Sequence, residues 1–455
     1  MSIVSPRTGL IAAVWLLGAL PCGCKRGAAP TPGPSVSQRP SALPLGSALP
    51  MPEPVSHCRR LSGPTLTLEP DAPVPAHKAG AEEEEDEALL PFGVDLGSAV
   101  PLRSGFAVVG IRGQGQAFVA LLGEPAPRRV DLGELHGEVQ PPALVARAEE
   151  AIVALRSSDA AGYTIKLGKV RVAGGVEWGH ELSKLGKLVS SVGIALSGSR
   201  GVLAFQSEGK QGELRVLLGS FSADDIKQPF EARPLELKDI SEPRLSTRPG
   251  GYWLTWVRSL PEAKTAAKPK PDAGSEDPEE RELLELGLRV VEVAKLDEQG
   301  QLQGEAKRLG VPRRQELLFD IAPLESGGLL VATRSDSASP GVEGGALTLS
   351  TVQPDGSVQE ERLEDDEIGA GVPALLVDPR APATPWLSVS SPSDATRLGL
   401  VRGARTYLQG DPLLVRADVI AVKAGHFLTQ RARGRGVELA TLDCQWPPEP
   451  PAEKK

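Results

Sequence analysis

The chain has 455 residues, of which 40% are hydrophobic and 24% charged, and its net charge is −9. The hydrophobic share is large enough for a folded core, and the negative balance argues against a nucleic-acid partner. Glycine (50) and proline (42) are both abundant, as expected of a chain with many short connections between its elements.

The first predicted element is a signal peptide. Arg7 supplies a positive charge, and the apolar run at 10–20 is too short to span a bilayer. The sequence LPCGCKRG that follows resembles the lipobox of bacterial lipoproteins, where a cysteine receives lipid after cleavage. Gly23 is the small residue expected before that cysteine, so Cys24 is the predicted lipidated residue and Cys22 is the alternative. A cleaved signal peptide without lipid is the other interpretation.

The lipobox resemblance implies a place in the cell. No Asp follows Cys24, which in such lipoproteins implies the outer rather than the inner membrane, with the body periplasmic or surface-facing. Residues 1–23 are then the signal peptide. Residues 24–57, rich in Pro, Ala and Ser, are a predicted disordered tether to the lipid anchor, with a reach of at most roughly 90 Å.

Seven β-hairpin patterns follow in the rest of the chain. Each has an apolar strand, a short polar turn rich in Ser, Arg or Gly, and a second strand with apolar residues at alternate positions. They begin at Phe106, Ala151, Gly201, Tyr252, Leu329, Pro385 and His426. A weaker strand often precedes a hairpin, as at 192–196 and 317–324, and a more polar strand often follows, as at 128–133 and 357–363.

Four strands per unit, recurring every ~45–70 residues, resemble the blades of a β-propeller. We therefore predict an all-β fold, a seven-bladed β-propeller over residues 58–446, followed by a disordered tail at 447–455. Six or eight blades are the alternatives in blade number, and tandem β-sandwiches are the rival architecture. The whole chain thus resembles a bacterial envelope lipoprotein with a propeller body.

The seventh unit lacks an outer strand, because the Pro-rich sequence after Cys444 cannot form one. The segment 59–70 has alternating apolar positions and can supply that strand. Cys444 ends the third strand of this blade and Cys58 begins the fourth, so antiparallel pairing places them within disulfide range. We predict that a Cys58–Cys444 disulfide closes the ring, with two free buried cysteines as the alternative.

Three long segments, 76–93, 259–282 and 335–345, are predicted to lie on one face of the propeller. They connect strands 2 and 3 of a blade, or one blade to the next, and these connections share a face in propellers. The disulfide and the tether lie on the opposite face, so the loops are expected to point away from the membrane. The acidic run at 82–87 is interpreted as a solvated loop, with Ca²⁺ or a basic partner as the alternative.

The sequence contains no recognisable catalytic or metal-binding motif. It has no HExxH, CxxC, GxSxG or Walker A pattern, and its five histidines do not stand at ligand spacing. We therefore predict no catalytic residue, no metal and no cofactor. Trp253 and Trp256 are predicted to pack between blades or at a strand edge.

Two functions follow as hypotheses. The main prediction is a lipid-anchored envelope protein whose propeller is a non-enzymatic binding or scaffold platform for another envelope protein. The alternative is a periplasmic or extracellular hydrolase or lyase with a site in the propeller funnel. A funnel with convergent carboxylates and arginines favours the enzyme, whereas a funnel filled by apolar side chains favours the platform.

Overall fold

The computed structural model describes residues 58–60, 65–68 and most of 93–444. Between 93 and 444 the description is interrupted at 114, 124–125, 137–139, 160–161, 187–188, 209–213, 238–239, 261–287, 314–316, 336–346, 364–372, 379–384, 391–395, 403–404, 409–416 and 434–435. The predicted signal peptide, Cys22 and Cys24, the tether, the acidic run and the tail lie outside the described residues. In the described part, no helix combines the length and the hydropathy that a membrane span requires.

The described secondary structure consists of β-strands. In chain order they are β1 (Cys58–Arg60), β2 (Leu66–Leu68), β3 (Val94–Leu102), β4 (Gly105–Arg112), β5 (Gln116–Gly123), β6 (Arg128–Glu134), β7 (Ala143–Arg147), β8 (Glu150–Asp159), β9 (Gly162–Arg171), β10 (Val176–Leu182), β11 (Val189–Ser197), β12 (Arg200–Glu208), β13 (Leu214–Ser222), β14 (Ala232–Pro234), β15 (Ile240–Arg248), β16 (Gly251–Leu260), β17 (Leu288–Leu296), β18 (Leu302–Arg313), β19 (Leu317–Pro323), β20 (Leu329–Ser335), β21 (Leu347–Val352), β22 (Val358–Leu363), β23 (Ala374–Leu376), β24 (Trp386–Ser390), β25 (Thr396–Arg402), β26 (Arg405–Leu408), β27 (Asp418–Lys423), β28 (His426–Arg433) and β29 (Gly436–Cys444).

These strands form seven antiparallel sheets, each the blade of a propeller. Blades 1 to 6 take four consecutive strands each, from β3–β6 to β23–β26, and blade 7 contains β27, β28 and β29 with β1 and β2 outside them. The first strands contact one another in the cyclic order β3, β7, β11, β15, β19, β23, β27 and back to β3. The ring is closed, which confirms the seven-bladed propeller and makes the tandem-sandwich alternative wrong.

The second and third strands of the blades supply most of the core. Each blade packs against a neighbour on both sides, so both faces of these strands are apolar and buried, as along β4 and β5. Blade 4 shows the result: Trp253 packs in the cluster shared with blade 5, and Trp256 packs in the cluster shared with blade 3. Both indoles are almost fully buried, which confirms the packing expected of them.

Strands from the two ends of the chain close the ring in blade 7. Both β1 and β2 pair with β29, with Cys58 opposite Cys444 and Leu66 opposite Leu439. Opposed residues in an antiparallel pair have Cα atoms ~4.5–5.5 Å apart, within the range that a disulfide needs. The Cys444 side chain is buried and takes part in an interaction with another group. The Cys58–Cys444 disulfide itself stays a prediction.

The strand order gives the ring two faces. Face A is the one where strand 2 turns into strand 3 and where one blade leads to the next, and face B carries the other turns. The segments 261–287, 336–346 and 69–92 connect β16 to β17, β20 to β21 and β2 to β3, so all three are attached on face A. Cys444, at the end of a third strand, lies on face B.

On face B, the turn between the first and second strands of a blade contacts the next blade. The Lys423 ammonium in blade 7 donates to the carbonyl of Arg103 in blade 1, whose own N–H donates to the Ala148 carbonyl in blade 2 at 3.1 Å. Arg147 in blade 2 forms an ion pair with Asp224 in blade 3. Exposed ion pairs contribute only ~0.2–1 kcal/mol each, so the apolar clusters between blades carry most of the stability.

Candidate functional site

Charged side chains lie on the first strands, which line the central channel of a propeller. A first strand runs from face A to face B, so residues in its N-terminal half lie toward face A. Five charged residues occupy such positions or the middle of the strand: Asp95 in β3, Glu242 and Arg244 in β15, Asp320 in β19 and Asp418 in β27. We call these five the channel-mouth residues.

Asp95 is the channel-mouth carboxyl best suited to give up a proton. Its side chain is exposed, and no ion pair of this carboxyl occurs within the described strands and loops. Desolvation by the surrounding protein nevertheless raises the pKa of Asp95, and the N–H of Leu96 opposes this only in part. An accessible carboxyl that stays protonated above its usual pH range is a candidate general acid.

Asp320 is held in place by blades on both sides of its own. Arg244 Nη1 donates to Asp320 Oδ1 at 3.0 Å, and the N–H of Leu375 donates to Asp320 Oδ2 at 2.8 Å, so one carboxyl joins blades 4, 5 and 6. The side chains of Arg244 and Asp320 are 38% and 27% exposed. Desolvation raises the pKa of Asp320 and the Arg244 charge opposes that shift.

The Arg244 guanidinium also lies over the Phe319 ring, 4.5 Å from its centroid. Arg244 therefore has two contacts with blade 5, and the carboxyl that it holds has both oxygens engaged. This pair is built to stay in one position, which suits it to orient a bound molecule.

Glu242 stands in a backbone conformation that non-glycine residues rarely adopt. Its φ is +51°, and it lies in the bulge that shifts the β15–β16 register between Ser241 and Arg244. Such a conformation costs on the order of 1–3 kcal/mol and recurs at functional sites. Bulges beside such sites serve to re-aim a side chain.

The ring order places two groups of carboxyls on opposite sides of the channel. Asp418 and Asp95 belong to blades 7 and 1, which are neighbours, whereas Glu242 and Asp320 belong to blades 4 and 5. In a ring of seven, blades 4 and 5 are the farthest from blade 1. A molecule that enters the channel from face A therefore passes between the blade that carries Asp95 and the blades that carry the Arg244–Asp320 pair.

The other basic residues of the first strands are engaged away from this mouth. Arg147 pairs with Asp224 on face B. Arg248, at the face-B end of β15, donates to the backbone carbonyls of Tyr252 and Leu296. The channel-mouth residues of the first strands thus comprise four carboxyls and one arginine. No group of three His, Cys, Asp or Glu side chains within the described ranges is arranged to hold a metal ion.

The described surface offers little apolar area for a docking partner. Leu302, 37% exposed on the outer strand of blade 4, is the one exposed large hydrophobic residue among those described. Trp386 is buried, and Trp178 is half-buried with the Lys166 ammonium 5.1 Å from its ring centroid. Protein interfaces draw most of their affinity from exposed apolar and aromatic anchors. The described residues provide no such anchor for the protein-binding platform that the sequence predicted.

A small cavity of about 10 Å³ lies on face B between blades 1 and 2, lined by residues that include Leu102, Ser104 and Val172. It has room for about one water molecule and is too small for a ligand. Of the residues singled out from the sequence, Cys58 and Cys444 lie together on face B, away from the channel mouth. None of the five channel-mouth residues was singled out.

Comparisons with known proteins place the fold. No protein-family model matches the chain, and no curated protein matches its sequence. Among solved structures, the polysaccharide lyase Uly1 is similar with a TM-score of 0.51 and 11% identity, covering 86% of this chain and 100% of that chain. The hydrazine synthase of Kuenenia stuttgartiensis has a TM-score of 0.46 and 12% identity, covering 79% of this chain and 97% of that chain. The α-L-arabinanase of Penicillium chrysogenum has a TM-score of 0.44 and 11% identity, covering 85% and 98%. At these identities the likeness concerns the fold alone.

Proposed function

We propose that the chain is a hydrolase that cleaves a polysaccharide at the face-A mouth of the propeller channel. The observation that carries the proposal is the setting of Asp95, an accessible carboxyl with a raised pKa on the blade opposite those that hold the Arg244–Asp320 pair. A protonated carboxyl can protonate the leaving oxygen of a glycosidic bond, and a second carboxyl can activate the attacking water.

Each channel-mouth residue then has a role. Asp95 is the general acid. Glu242, in its bulge, is the carboxylate that activates water, which requires it to lie within roughly 10 Å of Asp95, and the Arg244–Asp320 pair orients the polymer between them. Asp418 adds to the negative potential of the same mouth. The lack of an exposed apolar anchor among the described residues weighs against the protein-binding platform as the main function.

The charge of the mouth points to a neutral or cationic polysaccharide as the substrate. On the first strands four carboxyls accompany a single arginine at this mouth, and that arginine already pairs with Asp320. A polyuronate would meet like charges, which are costly at a binding site. Elimination from a uronate also needs cations to neutralise its carboxylate. A hydrolase therefore fits this mouth better than a lyase. The name of the structurally similar polysaccharide lyase Uly1 also refers to a polysaccharide.

A polymer panel tests this function. The purified protein is expected to release reducing ends from neutral polysaccharides such as arabinan, xylan or β-glucan, or from chitosan, and to leave polyuronates intact. Reducing-end assays and mass spectrometry of the products measure the cleavage. Unsaturated products from a polyuronate would identify a lyase instead. A chain that cleaves nothing but recovers a stoichiometric envelope protein from detergent extracts would be the predicted platform.

We also propose that Cys24 carries a lipid that holds the protein on the outer membrane, periplasmic or surface-facing. The apolar run at 10–20 and Gly23 before Cys24 support this. Metabolic labelling with a palmitate analogue is expected to label the wild-type chain and not Cys24→Ser, which should leave the membrane fraction. Cys22→Ser is the matched control and should keep its label. Label that depends on Cys22 would move the site to Cys22, and no label on either would mean a plain signal peptide.

A further inference from the structure

Two buried hydroxyl groups in blade 4 stand without a hydrogen-bond partner among the described residues. They are Ser246 Oγ and Thr255 Oγ1, and the two side chains are 6% and 0% exposed. A buried hydroxyl that makes no hydrogen bond costs ~1–3 kcal/mol, and nearly all such groups in folded proteins are paired with protein or with ordered water. Two such groups on neighbouring strands therefore indicate a shared partner.

The strand register puts both hydroxyls on one face of the sheet. In the β15–β16 pair, Arg244 is opposite Thr255 and Ser246 is opposite Trp253. Opposed residues share a face, and so do residues two apart on a strand, so Ser246 and Thr255 are diagonal neighbours. Diagonal positions have Cα atoms ~7–8 Å apart and Cβ atoms somewhat closer. One small molecule can bridge hydroxyl groups at that spacing.

This face of blade 4 is closed by blade 5. Arg244 binds Asp320 and stacks on Phe319, while Trp253 Nε1 donates to the carbonyl of Gly327 at 3.1 Å. The two hydroxyls thus lie between two satisfied polar contacts of the same interface. Both hydroxyls are shielded from bulk solvent, and buried polar groups of this kind are the ones that internal water satisfies in proteins.

We propose that Ser246 and Thr255 bind one ordered water molecule between blades 4 and 5. Water donates and accepts hydrogen bonds, so it satisfies both hydroxyls at once. Arg244, directly opposite Thr255, is the neighbour through which this water supports the Asp320 carboxyl. The site follows from the register and the burial of the hydroxyls and does not depend on the proposed enzymatic activity.

A high-resolution crystal structure of the full chain tests the proposal directly. The expected result is a density peak ~2.7–3.0 Å from both Ser246 Oγ and Thr255 Oγ1. An empty space between the two atoms, or direct hydrogen bonds from both hydroxyls to backbone carbonyls, would overturn it.

A double-mutant cycle tests it in solution. If one water serves both groups, the unfolding midpoint of the Ser246→Ala/Thr255→Val variant is shifted no further than that of the worse single variant, because both partners are replaced together. Thr429→Val is the control, since its buried hydroxyl donates directly to the Ala440 carbonyl at 3.0 Å. Its effect should add to that of Ser246→Ala. Additive shifts for Ser246 and Thr255 would overturn the shared water.

Discussion

Replacing Cys444 with serine is expected to lower the free energy of unfolding by ~2–5 kcal/mol, the usual effect of losing a native disulfide. The predicted Cys58–Cys444 bond closes a loop of roughly 390 residues, for which the chain-entropy model gives about 6 kcal/mol as an upper limit. Residual structure in the unfolded chain keeps the real value below that limit. Urea unfolding of the purified, oxidised protein measures the difference.

A cycle of cysteine variants separates the bond from the packing of the side chain. Cys58→Ser, the double variant and the reduced wild type should all unfold at about the same urea concentration as Cys444→Ser. Reductant should leave the midpoints of the variants unchanged. A wild-type midpoint that does not move on reduction would contradict the disulfide, and the ring closure would then depend on the pairing of β1 and β2 alone.

Replacing Asp95 with asparagine is expected to lower kcat on a neutral polysaccharide by ~10²–10⁴-fold, the usual contribution of a general acid. Asparagine has nearly the same shape but cannot give a proton to a leaving oxygen. Steady-state kinetics on the polymer found by the panel measure the loss. Glu325→Gln is the matched control, because Glu325 lies exposed in a turn on face B of blade 5 and should leave kcat unchanged.

The pH profile adds a second readout for Asp95. A general acid works while it is protonated, and desolvation raises the pKa of Asp95 above the usual range for aspartate. Activity should therefore persist to higher pH than an ordinary aspartic acid would allow and fall as the pH rises through the raised pKa. The Asp95→Asn variant should lose this basic limb. A variant with wild-type kcat and an unchanged profile would remove Asp95 from the catalytic role.

The propeller could be predicted because its second and third strands leave a clear pattern. These strands are buried on both sides, so they read as apolar runs such as β4 and β5, separated by short polar turns. The closing blade could be predicted because the segment 59–70, with its alternating apolar positions, directly follows Cys58, and the structure pairs β2 of that segment with β29.

The channel-mouth residues could not be predicted as a group: the strand of Asp320 was expected at 317–324, but β3 and β15 lack such a pattern. In β3, a bulge between Leu96 and Ala99 breaks the alternation, and β15 has a bulge between Ser241 and Arg244 together with Pro243. First strands also pack less completely than the central ones, so they tolerate charged residues. One signal could have located these residues. A weaker strand precedes several of the other hairpins, which predicts a first strand at the same place in blades 1 and 4. The position of Asp95 opposite blades 4 and 5 follows from the order of the blades in the ring, and that order is known only once the ring is seen to be closed.

The pairing of β1 and β2 with β29 also sets the order of events when the protein is made. Residues 58–68 leave the ribosome long before residues 436–444. The earliest strands must therefore wait for the latest one, and such distant pairings form slowly. A product truncated before Gly436 has nothing for β1 and β2 to pair with and leaves the edge of β28 open to proteases. Completion of the ring thus depends on synthesis of the whole chain.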